Sequence, residues 1–108
     1  MKKTLGEFEE LILTMVCILG DETYGNLIVK EVDKKLDRAI ALSAVHITLY
    51  RLEDKGLLTS YYGGATSVRG GRRKRFFQIT NSGKDLLLNL QEQRTKLWQL
   101  MPKLRFSH

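Results

Sequence analysis

Apolar residues return along this chain with two different periods, and the change of period divides it. Leu5, Phe8, Ile12, Met15 and Leu19 recur at three- and four-residue spacing, which predicts a first helix over 5–19. Thr4 and Glu7 have the spacing of a capping box at its start, and Gly20 is placed to end it. Leu11, Leu13, Val16 and Ile18 widen the stripe almost all the way round, so this helix is expected to be buried on more than one side. A second helix over 24–36 turns Tyr24, Leu27, Ile28 and Val32 inward. Residues 38–42 are too few for a helix and suggest a brief strand. Ser43 suits the N-cap of a third helix over 44–55, with Val45, Leu49 and Leu52 inward and Gly56 at its end.

Past Gly56 the period falls to two. Leu57–Tyr62 and Arg73–Ile79 read as strands, with Phe77 and Ile79 on one face, joined by the glycine-rich segment 63–71. Thr80 then caps a last helix over 81–101, which Pro102 kinks or ends. Leu87, Leu90, Leu97, Met101 and Leu104 form its apolar seam, interrupted by Arg94. Leu86, Leu88 and Trp98 lie off that seam. The result is a mainly α fold with a small β-hairpin wing: a winged helix-turn-helix followed by one long helix. A single domain over 1–108 is expected, with residues 20–80 as the winged-helix core and the helices at 5–19 and 81–104 forming a dimer interface. The reason for the dimer is that these two helices carry more apolar surface than one small core can cover.

Charge sharpens this picture. The net charge is +6 over 108 residues, but residues 1–50 are net −2 and residues 51–108 net +8. Five basic side chains fall within the seven residues Arg69–Arg75, with no acid among them. Such a cluster points to a polyanion, nucleic acid first and an anionic membrane second; the helical arrangement makes double-stranded DNA the expected partner. On the third helix the outward arc holds Ser43, Ala44, Ile47, Tyr50 and Arg51, with His46 and Thr48 at its edges, and Asp54 past the groove. Ser43, His46, Tyr50 and Arg51 can donate to phosphates or base edges, and Ile47 can touch a thymine methyl. In the wing, Arg69, Gly70, Gly71, Arg72, Arg73 and Lys74 are the candidate contacts to the DNA backbone or minor groove, whereas Arg75 is assigned to structure. The candidate dimer residues are Phe8, Ile12, Met15, Leu87, Leu90, Leu97, Trp98 and Met101.

Other chemistry is excluded by inventory. The sequence holds no P-loop, no Gly-x-Ser-x-Gly elbow and no His-Glu-x-x-His. His46 has no partner at metal-ligand spacing, so neither a metal nor another cofactor is expected. The one cysteine, Cys17, reads as a small core residue of a reducing compartment. The apolar run around it is too short to cross a bilayer, and Glu7, Glu9 and Glu10 before it argue against a signal peptide. A cytoplasmic protein without a membrane partner is expected. The alternative to DNA binding is a winged helix that binds only protein.

Three segments resemble the PadR family of bacterial transcriptional regulators. They are Tyr24-Gly25, the run Thr48–Leu58 with its Arg51-Leu52-Glu53 and Gly56-Leu57-Leu58, and the wing Gly70–Thr80 continuing through Gly83. The order and spacing of the three, spanning about residues 5–101, are more telling than any one of them. His46 stands where the family usually has Tyr, and Phe76-Phe77 replaces a pair containing Tyr. The resemblance, closest to the compact members with one C-terminal helix, implies a homodimeric repressor on a palindromic operator. It also implies a small hydrophobic effector bound between subunits, for which Trp98 and Met15 are the candidate lining.

Overall fold

The computed structural model describes residues 4–63 and 73–102. Three helices come first, α1 (Glu7–Leu19), α2 (Gly25–Leu36) and α3 (Leu42–Asp54). Two strands, β1 (Leu58–Gly63) and β2 (Lys74–Ile79), and the helix α4 (Asn81–Leu100) follow. The mainly α fold with a small hairpin is the expected one.

The core forms where α1, α2, α3 and the hairpin meet. Ile12, Leu13, Met15 and Val16 of α1 pack with Ile28 and Val32 of α2, Val45, Leu49 and Leu52 of α3, and Leu57, Leu58 and Phe77. Helix α1 is thus a central element of this core. The strands pair antiparallel, Leu58 opposite Ile79 and Tyr62 opposite Arg75. A bridge between Thr23 and Phe77 ties the α1–α2 turn to β2, with the Phe77 N–H donating to the Thr23 carbonyl at 2.8 Å. The strand expected at 38–42 does not form. Helix α2 instead ends at Asp37 in the left-handed region (φ 53°), and α3 starts at Leu42 behind Ala41 rather than behind Ser43.

Three further expectations are corrected. Gly6, not Thr4, caps α1, and a glycine can supply only half of a capping box: its N–H donates to Glu9 Oε1 at 3.0 Å. Cys17 is exposed, because the core takes positions 12, 13, 15 and 16 and leaves 17 on the far side of the helix. Thr48 is buried, facing the core alongside Leu49 and Leu52.

Helix α4 begins as expected, with the Thr80 hydroxyl accepting from the Gly83 N–H at 3.0 Å. It ends at Met101, whose extended backbone is the conformation favoured before Pro102. Leu86 and Leu87 pack against the core, Leu90 is half-buried, and every residue from Gln91 to Leu100 is exposed. Farther along, Arg94 pairs with Glu10 of α1, Nη2 to Oε1 at 2.6 Å. The Arg94 hydrogen bond holds the Glu10 carboxyl below its ordinary pKa against the opposing effect of burial. The Gly6 N–H, with Lys55 at 3.0 Å, does the same for Glu9. Carboxylates lowered in this way stabilise the fold above their ordinary pKa, and that contribution is lost as pH falls through the lowered native value. Melting temperature is therefore expected to fall on acidification below about pH 4.5, and the fall should be shallower in the Glu9→Gln, Glu10→Gln double variant.

Candidate nucleic-acid interface

Helix α3 is buried along one face only. Val45, Thr48, Leu49 and Leu52 face the core, which leaves Ser43, Ile47, Tyr50 and Arg51 exposed on the other side and Ala44 and His46 half-buried. Buried and exposed positions thus interleave at helical spacing from Ser43 to Leu52. His46 is wedged against the start of α2. A Cβ on Gly25 would fall on its imidazole and meet Leu42 Cδ1 at 3.2 Å, so the close approach of α2 and α3 requires glycine at that position. The His46 ring also lies nearly parallel to Tyr50, with centroids 6.3 Å apart.

The hairpin stands beside this face. Its last described pair is Gly63 opposite Lys74. Arg73 and Lys74 are exposed at that end, while Arg69, Gly70, Gly71 and Arg72 lie outside the described residues. Strand alternation sends neighbouring side chains to opposite faces. Lys74 and Phe76 go toward α2, with Lys74 Nζ 4.1 Å from the Tyr24 ring centroid and Phe76 edge-on to Tyr24 at 5.9 Å. Arg75 and Phe77 go toward α3. Arg75 Nη2 pairs with Glu53 Oε1 at 2.8 Å, and its Nε donates to Ser60 Oγ at 3.1 Å. Ser60 in turn donates to Glu53 Oε2 at 2.7 Å. Burial works against the Arg75 charge, but Glu53 together with Tyr62 and Tyr50 outweighs it, so the pKa is raised further above its already high value. The structural role read for Arg75 in the sequence has its partners here. Glu53 and Ser60 were not singled out there. The signal was an acid, Glu53, one turn from the face meant for a polyanion, which calls for a cation beside it.

The remaining residues separate into two groups. Ile12 and Met15 are 0% and 2% exposed in the chain's own core. The expectation that they face a partner, and that Met15 lines an effector pocket, is therefore corrected: α1 spends that stripe on α2, α3 and the hairpin. Phe8, Leu87 and Leu90 are half-buried. Leu97 and Trp98 are 63% and 60% exposed, and Met101 is exposed as well. Among the described residues no group of His, Cys, Asp and Glu could hold a metal ion, and no helix is long and apolar enough to cross a membrane.

Comparison with solved structures bears on this arrangement directly. A PadR family transcription regulator from Clostridium difficile superposes with a TM-score of 0.72 at 28% identity, over 89% of this chain and 95% of that one. The fold is PadR-like. A transcriptional regulator from Clostridium thermocellum matches at 29% identity and a TM-score of 0.61, over 85% of this chain and 82% of that one. Bacillus subtilis PadR, in complex with operator DNA, shares the fold at 19% identity and a TM-score of 0.63, over 94% of this chain and 51% of that one. No family model and no curated protein matches the sequence. In this PadR-like chain the exposed face of α3 lies beside the hairpin, with the Arg75 guanidinium of β2 4.8 Å from the Tyr50 ring centroid.

Proposed function

We propose that this chain is a cytoplasmic, DNA-binding transcriptional repressor that acts as a homodimer on a palindromic site. The observation that carries the reading is the half-buried α3: Ser43, Ile47, Tyr50 and Arg51 are exposed on it, and its Tyr50 meets Arg75 of the hairpin whose end carries exposed Arg73 and Lys74. Helix α3 enters the major groove, with Ala44 and His46 flanking the contact face. The wing, from Arg69 through Gly70, Gly71, Arg72 and Arg73 to Lys74, supplies cations to the backbone or the flanking minor groove. The solved PadR–operator complex supports the same class of partner.

Dimerisation is assigned to the exposed end of α4, where Leu88, Leu97, Trp98, Leu100 and Met101 present apolar surface. Phe8, Leu87 and Leu90 contribute at its margin. A two-fold dimer sets two copies of α3 about 34 Å apart, one turn of DNA. A small hydrophobic effector binding against Trp98 would release DNA by favouring a dimer geometry whose helix spacing misfits the operator.

Selection from a pool of random duplex DNA tests this reading. The expected result is an enriched palindrome with half-site centres one turn apart. A protein that enriches no sequence, while still forming a dimer, would be a protein-binding winged helix instead.

A further inference from the structure

The Arg75 side chain touches more of the recognition apparatus than any charged neighbour described above, and it lies on the opposite face of β2 from Lys74. From β2 it reaches Glu53 of α3 and Ser60 of β1, and Ser60 closes the triangle by donating to Glu53. Its guanidinium also lies 4.8 Å from the Tyr50 ring centroid, 5.5 Å from Phe77 and 5.6 Å from Tyr62. Phe77 is core, so the stack is anchored from below. Tyr50 and Glu53 are one helical turn apart on α3, so a single side chain holds that helix at two points against both strands. A planar guanidinium can pair and stack at once; an ammonium cannot.

We propose that Arg75 is a positioning residue for DNA recognition: with Glu53, Ser60 and Tyr50 it fixes the angle between α3 and the wing, and it does not itself bind phosphate. The proposal rests on the DNA-binding reading above. It makes the geometry of readout depend on an acid, Glu53, that simple electrostatics would count against binding a polyanion.

That opposition gives a test with a sign. Affinities of the full chain and of the variants E53Q, R75Q, R75K and E53Q/R75Q would be measured for the selected site and for an unrelated duplex of equal length. If Arg75 positions α3, E53Q weakens binding to the selected site by about tenfold, the loss of one well-placed base contact. Its binding to the unrelated duplex is unchanged or tighter, since a negative charge has gone. R75Q weakens the selected site similarly, R75K falls between it and the native protein, and the double variant is no worse than R75Q. The proposal is overturned if E53Q binds the selected site as well as the native protein or better, or if R75Q loses affinity equally on both duplexes, as a phosphate contact would. Melting curves separate these effects from unfolding, and E53Q and R75K keep the test open should R75Q fail to fold. If the native protein enriches no site at all, the DNA-binding reading fails and this proposal falls with it.

Discussion

Replacing Arg72 and Arg73 with alanine should lower affinity for the selected site about 30-fold at 0.15 M salt. Each phosphate contact contributes about 0.9 to the slope of log affinity against log salt. Two lost contacts therefore flatten the slope by about 1.8, and at 0.15 M each is worth roughly fivefold. The effect should be nearly the same on unrelated DNA, because phosphates carry no sequence information. Dimerisation should survive, because the pair lies far along the chain from the apolar end of α4. Equilibrium titrations at several salt concentrations, with sedimentation of the free protein, would read both. A double variant that loses the dimer and keeps DNA affinity would favour the protein-binding alternative. The contrast with Arg75 is informative, since positions two and three residues apart in one basic run are assigned opposite dependences on DNA sequence.

The second large effect concerns Gly83→Ala. Alanine in place of glycine within a helix ordinarily stabilises by about 1 kcal/mol. Here the sign reverses. A Cβ at Gly83 would lie 2.5 Å from the Leu57 carbonyl oxygen and 2.7 Å from Ile79 Cγ1. The carbonyl is backbone and already accepts from the Thr80 N–H at 3.0 Å, so it cannot swing away. Relief requires moving the first turn of α4 off the hairpin, at a cost of about 2–4 kcal/mol. For a domain of this size that is a fall in melting temperature of about 10–25 °C. Thermal unfolding of the variant gives the answer directly, and an unchanged or raised melting temperature would mean that α4 does not seat on the Leu57 carbonyl.

These two glycines, Gly25 and Gly83, also show what the sequence could and could not disclose. Both stood in motif positions, and both mark places where a helix meets its neighbour with no room for a side chain. The helix periods, the hairpin and the Thr80 cap were legible because each is set by residues close together in the chain. What was not legible depended on distant partners. Ile12 and Met15 looked like surplus apolar surface, because nothing local says that α2, α3 and Phe77 converge on them. Cys17 looked buried inside an apolar run that in fact buries only some of its positions. Residues 38–42 form no strand, and the pairing that β2 does make beyond the hairpin, Thr23 with Phe77, spans more than fifty residues and is encoded by no local pattern. On the candidate interface, the exposed arc of α3 followed from the helical wheel, whereas the Glu53–Ser60–Arg75 triangle needed three elements to be brought together.

The far half of α4 has a consequence for helix–coil balance. From Gln91 to Pro102 no side chain is buried, and the Arg94–Glu10 pair is the tether back to the core described for this stretch. Ten residues are too few to hold a helix in water unaided. In a single chain this segment persists as an extension propagated from the docked turns, melting from its free end inward. In the proposed dimer, a second copy laid along Leu97, Trp98 and Leu100 would suppress that fraying. If that dimer forms, protein concentration governs helix content as well as assembly.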